Sequence, residues 1–302
     1  MPEPGPIAVP GGQRRGSGHL VRRGQSTSGD FSVVVTPQVA GWAFSSLRIL
    51  ELAPGATGSF DTAQDEMIVL PLSGSCRVRC DGAEFDLTGR ADVFSRVTDF
   101  AYAPRDAHLE ITSAAGGRFA LPAARATRRL TARYGAAEDV PVELRGAGQA
   151  SRQVNNFCSP EVFEADRLIA VEVLTPGGNW SSYPPHKHDE DNAQESALEE
   201  IYYFEVAAGG PAYQRVYTSG PGKEIDVCTE VATGDVVLIP YGYHGPSMAA
   251  PGYDLYYLNV MAGAGERMWR FCDDPQHAWI RGTWADAQVD PRLPLSGAGG
   301  PT

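Results

Sequence analysis

The sequence has few of the features that mark secreted or membrane-spanning proteins. Its five cysteines are odd in number and form no Cys-x-x-Cys pair, which argues against a disulfide framework or a structural zinc knot and favours buried free thiols. No stretch approaches the roughly 20 apolar residues of a membrane span, and the N-terminus lacks the apolar core of a signal peptide. We therefore expect a cytoplasmic protein with no membrane partner.

Basic residues are also scarce, with 25 Lys and Arg against 37 Asp and Glu and a net charge of -12. A sequence-independent nucleic-acid binder needs a basic face that replaces phosphate counterions, so we expect no nucleic-acid partner. The molecule as a whole does not attract anions either. An acidic substrate would therefore have to be held by a few local Arg or Lys groups.

Short apolar runs and turn residues dominate what is present. The chain has 302 residues, 42% of them hydrophobic, with 34 Gly and 23 Pro. From residue 31 onward, runs such as FSVVV, EMIVLPLSGSCRVRC, EEIYYFEV and DLYYLNVMAG are separated by turn residues at intervals typical of β-sandwiches and barrels. The sequence therefore predicts an all-β fold.

Composition also divides the chain into segments. The first residues are rich in Pro, Gly, Ser and Arg and cannot bury enough apolar surface to offset the entropy lost on ordering. The last residues are again rich in Gly and Pro, which predicts a loose tail. The predicted segments are an extended or disordered arm (1–28), a first β domain (29–130), a linker (131–150), a second β domain (151–285) and a tail (286–302).

The two β domains read as diverged copies of one unit. ILELAPGATGSF followed by DEMIVLPLSG matches EVLTPGGNWSSY followed by EEIYYFEVAAG in its order of strand, turn, acidic residue and strand. The second copy carries two closely spaced histidines that the first lacks. His108 falls where a further histidine would lie in the first copy, but it has no such partners. We therefore expect the first domain to be a scaffold and the second to carry the chemistry.

The stretch SSYPPHKHDE supplies the first part of a candidate metal site. Successive side chains of a strand alternate faces, so His186 and His188 project together while Lys187 points away. Glu200 opens an apolar strand, and His244 follows the strand and Pro-x-Gly turn of GDVVLIPYGYHG. Three imidazoles and one carboxylate suit a single divalent ion, Zn, Mn, Fe(II) or Ni, with positions left for water or substrate.

These residues match the two motifs of the cupins. The first motif corresponds to Gly178, His186, His188 and Glu200, and the second to Gly234, Pro240, Gly242 and His244. Over residues 30–285 the sequence resembles the 5-deoxy-glucuronate isomerase family of inositol catabolism, through PEVFEADRLIAVEVLTPGGNWSSYPPHKHDE, LEEIYYFEV and PGYDLYYLNVMAG. The resemblance implies a bicupin, which has two antiparallel β-barrel (jelly-roll) domains. It also implies an aldose-ketose isomerase that converts 5-deoxy-glucuronate to 5-dehydro-2-deoxy-gluconate.

The spacing of the first motif departs from that of an ordinary cupin. Eleven residues separate His188 from Glu200, far more than usual, and this leaves other carboxylates as alternatives to Glu200. We interpret the acidic stretch 189–195 as a solvated loop or lid. The alternative carboxylate ligands are Glu199, Glu195 and Glu190.

The reaction implied by the resemblance needs a proton shuttle and a cation for the substrate carboxylate. Glu172 and Tyr202 are the candidates for the shuttle, and the route can be an enediol or a hydride shift. The candidates for the carboxylate are Arg167, Arg215, Arg270 and Arg281. Two other readings stay open, an Fe(II) dioxygenase and a non-catalytic sugar-binding cupin. The expected partner is a small sugar acid, and a homo-oligomer is compatible with the sequence.

Overall fold

The computed structural model describes residues 18–297, which consist mainly of antiparallel β-strands. Residues 1–17 of the predicted arm lie outside the described residues. Within residues 18–297, no helix combines the length and the apolar character needed to cross a membrane.

The first half of the chain forms one group of strands after a short N-terminal strand. In chain order the elements are β1 (Leu20–Val21), β2 (Phe31–Val35), α1 (Pro37–Ala40), β3 (Ser45–Leu52), β4 (Thr57–Asp61), β5 (Asp65–Cys80), β6 (Ala83–Arg90), β7 (Phe100–Ala103), β8 (His108–Thr112), β9 (Gly117–Arg125) and β10 (Arg133–Gly135).

The second half contains the remaining strands, with short 3-10 helices between some of them. The strands are β11 (Val142–Arg145), β12 (Arg152–Cys158), β13 (Ile169–Thr175), β14 (Trp180–Ser181), β15 (His186–Lys187), β16 (Glu199–Val206), β17 (Ala212–Tyr217), β18 (Asp226–Val231), β19 (Val236–Ile239), β20 (Tyr243–Ala249), β21 (Leu255–Ala262) and β22 (Cys272–Asp273). The 3-10 helices are Ala137–Asp139, Gly148–Ala150, Ala207–Gly209 and Ala278–Asp286.

The strands form two barrels. The first barrel is a nine-stranded system with the path β10-β7-β5-β9-β3-β2, to which β4, β6 and β8 add a second layer. The second barrel has a seven-stranded sheet, β1-β19-β16-β21-β13-β12-β11, and a six-stranded sheet, β18-β17-β20-β15-β22, with β14 beside β20. The predicted all-β fold with two antiparallel barrels is confirmed.

The seven-stranded sheet is buried on both faces. Along β16, Tyr202 and Phe204 belong to the core of the second barrel, while Ile201 and Tyr203 belong to a larger core shared with β3, β5 and β9 of the first. Such a strand has no polar face, which explains why EEIYYFEV reads as a continuous apolar run rather than as an alternating one.

Three of the predicted segment boundaries differ from the contacts seen. The arm adds Leu20–Val21 as an edge strand to β19 of the second barrel. The predicted linker contributes β10 to the first barrel and β11 to the second. The predicted loose tail is wrong as far as residue 297, because the Gln153 side chain bonds to the backbone of Leu295 and to Ser296.

A buried ion pair joins the two barrels. Arg90, at the end of β6, and Glu172, on β13, are almost fully buried, and the Arg90 Nη2 donates to Glu172 Oε1. Asn155 Nδ2 and the Tyr256 hydroxyl donate to the same carboxylate at 3.1 and 2.9 Å. Each oxygen of Glu172 therefore has a partner, as a buried charge requires.

Removing only one partner of this buried ion pair should destabilise the protein strongly. Glu172→Leu should lower the free energy of unfolding by about 3–5 kcal/mol, because it leaves the Arg90 guanidinium buried without its counter-charge. Urea denaturation measures the loss. The matched control is the double variant Arg90→Met with Glu172→Leu, which should recover most of it. A single variant as stable as the parent would contradict the interpretation.

Candidate metal centre

The second barrel brings three of the four predicted ligands together. His188 follows β15, Glu200 lies on β16 and His244 lies on β20. One ligand atom from each, two imidazole nitrogens and a carboxylate oxygen, lies within 4.8 Å of the others. The Nε2 atoms of His188 and His244 are each 3.1 Å from Oε2 of Glu200. All three side chains are at most 2% exposed.

Backbone carbonyls orient the imidazoles. The Nδ1 of His188 bonds to the carbonyl of Leu198, and that of His244 to the carbonyl of Gly242, both at 3.2 Å. A carbonyl can only accept, so Nδ1 carries the hydrogen in both rings and Nε2 is the nitrogen that faces Glu200. In His188 the Nε2 bonds to Glu200, a contact that a bound metal ion would replace. The His244 Nε2 is buried and, although Glu200 Oε2 lies 3.1 Å away, it makes no hydrogen bond among the described residues. A cation between these nitrogens and Glu200 would satisfy it, so the donor set fits a divalent metal ion.

His186 lies beside this cluster rather than within it. Antiparallel pairing of β15 and β20 sets His186 opposite His244, and their ring centroids are 4.4 Å apart. The ring of Phe271 also packs against His186, with the ring centroids 4.9 Å apart. His186 Nδ1 also faces a carbonyl, that of Pro184, at 3.4 Å. Its nitrogens are outside the group that meets within 4.8 Å.

The electrostatic environment holds two of the histidines neutral. Burial lowers the pKa of His244 to about 4. Burial, with added repulsion from His244 and His188, lowers the pKa of His186 well below its ordinary value. Burial also acts to lower the pKa of His188, but the hydrogen bond and charge of Glu200 outweigh it and raise that pKa. Neutral imidazole is the form that binds metals, so His186 and His244 are ready to do so near pH 7.

The competing carboxylates are occupied elsewhere. Glu199 points to the opposite face of β16 and accepts the backbone N–H groups of Ala43, Phe44 and Ser45 at 2.7 to 2.9 Å. Glu195 accepts from Lys187 Nζ at 2.5 Å, and Glu190 lies 3.2 Å from Lys223 Nζ. Glu200 alone among the four candidates faces His188 and His244.

The long spacer between His188 and Glu200 forms a loop whose two ends are joined. The Leu198 N–H donates to the His188 carbonyl at 2.9 Å, which joins the two ends of the loop. Asp189 accepts from Lys187, Ser219 and the backbone N–H of Gly242 at 2.5 to 3.0 Å. The prediction of a solvated loop is wrong for the side chains of Asp189 and Glu195, which are 2% exposed. Burial acts to raise the pKa of Asp189, but these hydrogen bonds hold it well below its usual range.

A chain of hydroxyl groups lies next to the cluster. Ser182 Oγ is 3.1 Å from the Tyr202 hydroxyl and 3.0 Å from the Tyr257 hydroxyl, and the Tyr202 ring is 6.1 Å from that of His244. Ser182 has φ of 49°, a left-handed conformation that is strained for serine. Burial, together with the charge of Glu200, raises the pKa of Tyr202 well above its usual value. Tyr202 is therefore a hydrogen-bond donor at neutral pH.

The prediction that Glu172 shuttles protons in this site is wrong. Along β13, Val171 and Val173 face the inside of the second barrel, whereas Glu172 faces the first barrel and pairs with Arg90. The sheet itself separates Glu172 from Glu200. The alternation along β13 was visible in the sequence, but it did not show which of two apolar faces bounds the pocket.

Three of the four predicted substrate-binding arginines already have other partners. Arg167 donates to the carbonyls of Gly263 and Ala264 at 2.8 Å. Arg215 pairs with Asp226 on the outside of the barrel. Arg281 holds Asp273 with two hydrogen bonds. These three are wrong as free cations for a ligand.

Arg270 differs from those three, because its closest polar contact is a long one. Its Nε lies 3.5 Å from Ser196 Oγ. The structure thus leaves Arg270 as a candidate.

Sequence reasoning missed Arg152, which opens β12. Its side chain is buried, and its Nη1 donates to the carbonyls of Ala150 at 3.0 Å and Tyr183 at 3.4 Å. Burial lowers the pKa of Arg152 to about 10, so it remains charged near pH 7. The strand RQVNNFC is rich in polar residues and gives a weak strand pattern, which is why no signal pointed to it.

Two barrels in one chain, with a cluster of histidines and a carboxylate in the second alone among the described residues, define a bicupin. The fold of an oxalate decarboxylase from Bacillus subtilis is similar, with a TM-score of 0.60 at 13% identity over 84% of this chain and 79% of that one. A model of the KduI/IolB family matches residues 19–280. The chain belongs to this family.

Relatives over nearly the whole chain agree with this assignment. The chain is 42% identical to a 5-deoxy-glucuronate isomerase of Geobacillus kaustophilus over 82% of this chain and 90% of that protein. It is 38% identical to the isomerase of the same name from Bacillus subtilis, over 87% and 98%. An IolB-like protein from Salmonella typhimurium has a TM-score of 0.80 at 33% identity, over 86% and 98%.

The neighbouring residues Glu199 and Glu200 offer a matched test of the metal centre. Glu200→Gln should remove most of the metal, because a neutral amide replaces the anionic ligand, and His244→Ala should do the same by removing a nitrogen. Glu199→Gln should keep its metal. Metal content per chain after dialysis measures the difference.

The exposed histidine of the first barrel supplies a second control. His108 bonds to Asp61 and Ser59 far from this cluster, so His108→Ala should also keep its metal. Full occupancy in Glu200→Gln, or loss in Glu199→Gln alone, would show that the ligand set is wrong.

Proposed function

We propose that this protein is an aldose-ketose isomerase that converts 5-deoxy-glucuronate to 5-dehydro-2-deoxy-gluconate in inositol catabolism. The observation that carries the proposal is the match over more than four-fifths of the chain to proteins named 5-deoxy-glucuronate isomerase. The convergence of His188, Glu200 and His244 in the second barrel supports it with a site suited to that chemistry. A cytoplasmic location and a homo-oligomeric state stay predictions from the sequence.

The proposed cofactor is one divalent metal ion, Zn, Mn or Fe(II), held by His188, Glu200 and His244. His186 is the proposed fourth ligand, because it is neutral and its ring lies against that of His244. When bound, such an ion polarises a carbonyl and acidifies a neighbouring hydroxyl. The donor set does not distinguish among these metals.

The reaction rearranges hydrogen within one molecule, so it needs no oxidant or reductant. Hydrogen leaves C2 and arrives at C1, while the hydroxyl proton on O2 passes to O1. Tyr202 is the proposed proton donor to the sugar oxygens, and Ser182 links its hydroxyl to that of Tyr257. Because its pKa is raised, Tyr202 stays protonated near pH 7, so it can donate a hydrogen bond to a sugar oxygen but cannot act as the base that removes a proton from carbon.

Two alternatives predict different requirements. An Fe(II) dioxygenase would consume oxygen, and a sugar-binding cupin would bind its ligand without turnover. The relatives named as isomerases favour the first proposal over both.

Removing the metal with a chelator and then adding it back distinguishes the isomerase from the two alternatives. The chelated protein should stay folded by circular dichroism, because the barrels bury ample apolar surface without an ion, and it should lose the isomerase activity. Activity should return with Mn, Fe(II), Co or Zn under argon, followed as loss of the aldose. Turnover by metal-free protein, or an absolute need for oxygen, would contradict the proposal.

The role of Tyr202 has its own matched pair on the same strand. Tyr202→Phe should lower kcat roughly 100-fold, the usual contribution of a positioned proton donor, with metal content unchanged. Tyr203→Phe is the control, since its hydroxyl faces the first barrel and donates to Glu205 at 3.0 Å. Steady-state kinetics with metal-loaded variants measures both. Equal losses in the two variants would exclude a specific role for Tyr202.

A further inference from the structure

Arg152 is a buried cation that forms no ion pair with any carboxylate of residues 18–297. Its side chain is only 5% exposed, and no carboxylate oxygen of residues 18–297 lies within 4.0 Å of it. Its hydrogen bonds to the described part of the chain come from Nη1 and reach two backbone carbonyls. Burying an unpaired charge is costly, and an anionic ligand would supply the missing partner.

The position of Arg152 connects it to the candidate metal centre. Arg152 and Val154 lie on the same face of β12, and Val154 belongs to the core of the second barrel. One of the two carbonyls that Arg152 contacts is that of Tyr183, three residues before His186. The charge of Arg152 also contributes to the lowered pKa of His186 and affects that of Tyr257. The guanidinium therefore lies near the candidate ligands and the hydroxyl chain.

We propose that Arg152 binds the carboxylate of the sugar-acid substrate, an inference that rests on the proposed isomerase function. The reacting carbons of such a substrate lie at one end of its open chain and the carboxylate at the other, so the site needs a cation set apart from the metal ligands. A guanidinium matches a carboxylate with two parallel hydrogen bonds. Arg281 and Arg215 already hold Asp273 and Asp226. Arg152 lies over the Trp284 ring and bonds to two carbonyls, but it has no ion pair with a carboxylate among residues 18–297.

The test compares two open-chain ligands that differ at the acid group. L-Gulonate carries a carboxylate where D-glucitol carries a neutral hydroxymethyl group, and neither is an aldose. Isothermal titration of metal-loaded protein should show tighter binding of L-gulonate. In Arg152→Gln this binding should weaken roughly 10- to 100-fold, the value of hydrogen bonds to a charged group, while D-glucitol binding is unchanged.

Two further variants control for folding and for charge in general. Arg145 lies opposite Arg152 in the pairing of β11 with β12, but its side chain is bound to Glu143. The Arg145→Gln variant should therefore bind both ligands like the parent. Arg152→Lys keeps the charge but lacks the planar fork, so it should lose less affinity for L-gulonate than Arg152→Gln. If circular dichroism shows that Arg152→Gln is unfolded, Arg152→Lys is compared with the parent instead. It should then lose affinity for L-gulonate but not for D-glucitol.

Several outcomes would overturn the role of Arg152. These are undiminished L-gulonate binding in the Arg152 variants, an equal loss for D-glucitol, or the same selective loss in Arg270→Gln instead. A different outcome would contradict the proposed isomerase function. It is that the parent protein binds L-gulonate through Arg152 but leaves 5-deoxy-glucuronate unchanged. Isomerisation by the parent together with unaltered binding in Arg152→Gln would refute this inference alone.

Discussion

Burial of the seven-stranded sheet on both faces is the constraint on which the fold and the candidate site depend. One face of β16 carries Glu200 and Tyr202 into the pocket, and the other packs Ile201 and Tyr203 against the first barrel. A slip of one residue in register would exchange the two sets. The first barrel opposes such a slip, because its Ala43–Ser45 backbone holds Glu199.

Those parts of the site that follow from local patterns were predictable from the sequence. Alternation along a strand placed His186 and His188 on one side and Lys187 on the other, and the turn after β19 delivered His244. The many short apolar runs likewise predicted an all-β fold. In each case a few adjacent residues contain the signal, because the geometry of one strand or turn fixes the direction of its side chains.

The parts that were not predicted depend on contacts between distant segments. Glu172 lies opposite Arg90, 82 residues away, and nothing near Glu172 reveals that partner. The acidic stretch after His188 looked solvated because Lys223, which neutralises part of it, lies on another loop. Arg152 was overlooked for a related reason. What singles it out is that no carboxylate of residues 18–297 pairs with it, and only the folded arrangement of the carboxylates can show this.

The lysines that bind the acidic loop also have a consequence for how fast an anion reaches the barrel. An acidic chain repels such a ligand, but salt screens charges beyond about 8 Å at physiological ionic strength, so the groups around the entrance dominate the encounter. Lys187, which lies between His186 and His188 in the chain, and Lys223 offset most of the charge of Asp189, Glu190 and Glu195 beside the candidate ligands. The association rate of an anion should therefore depend on these two ammonium groups far more than on the net charge of -12.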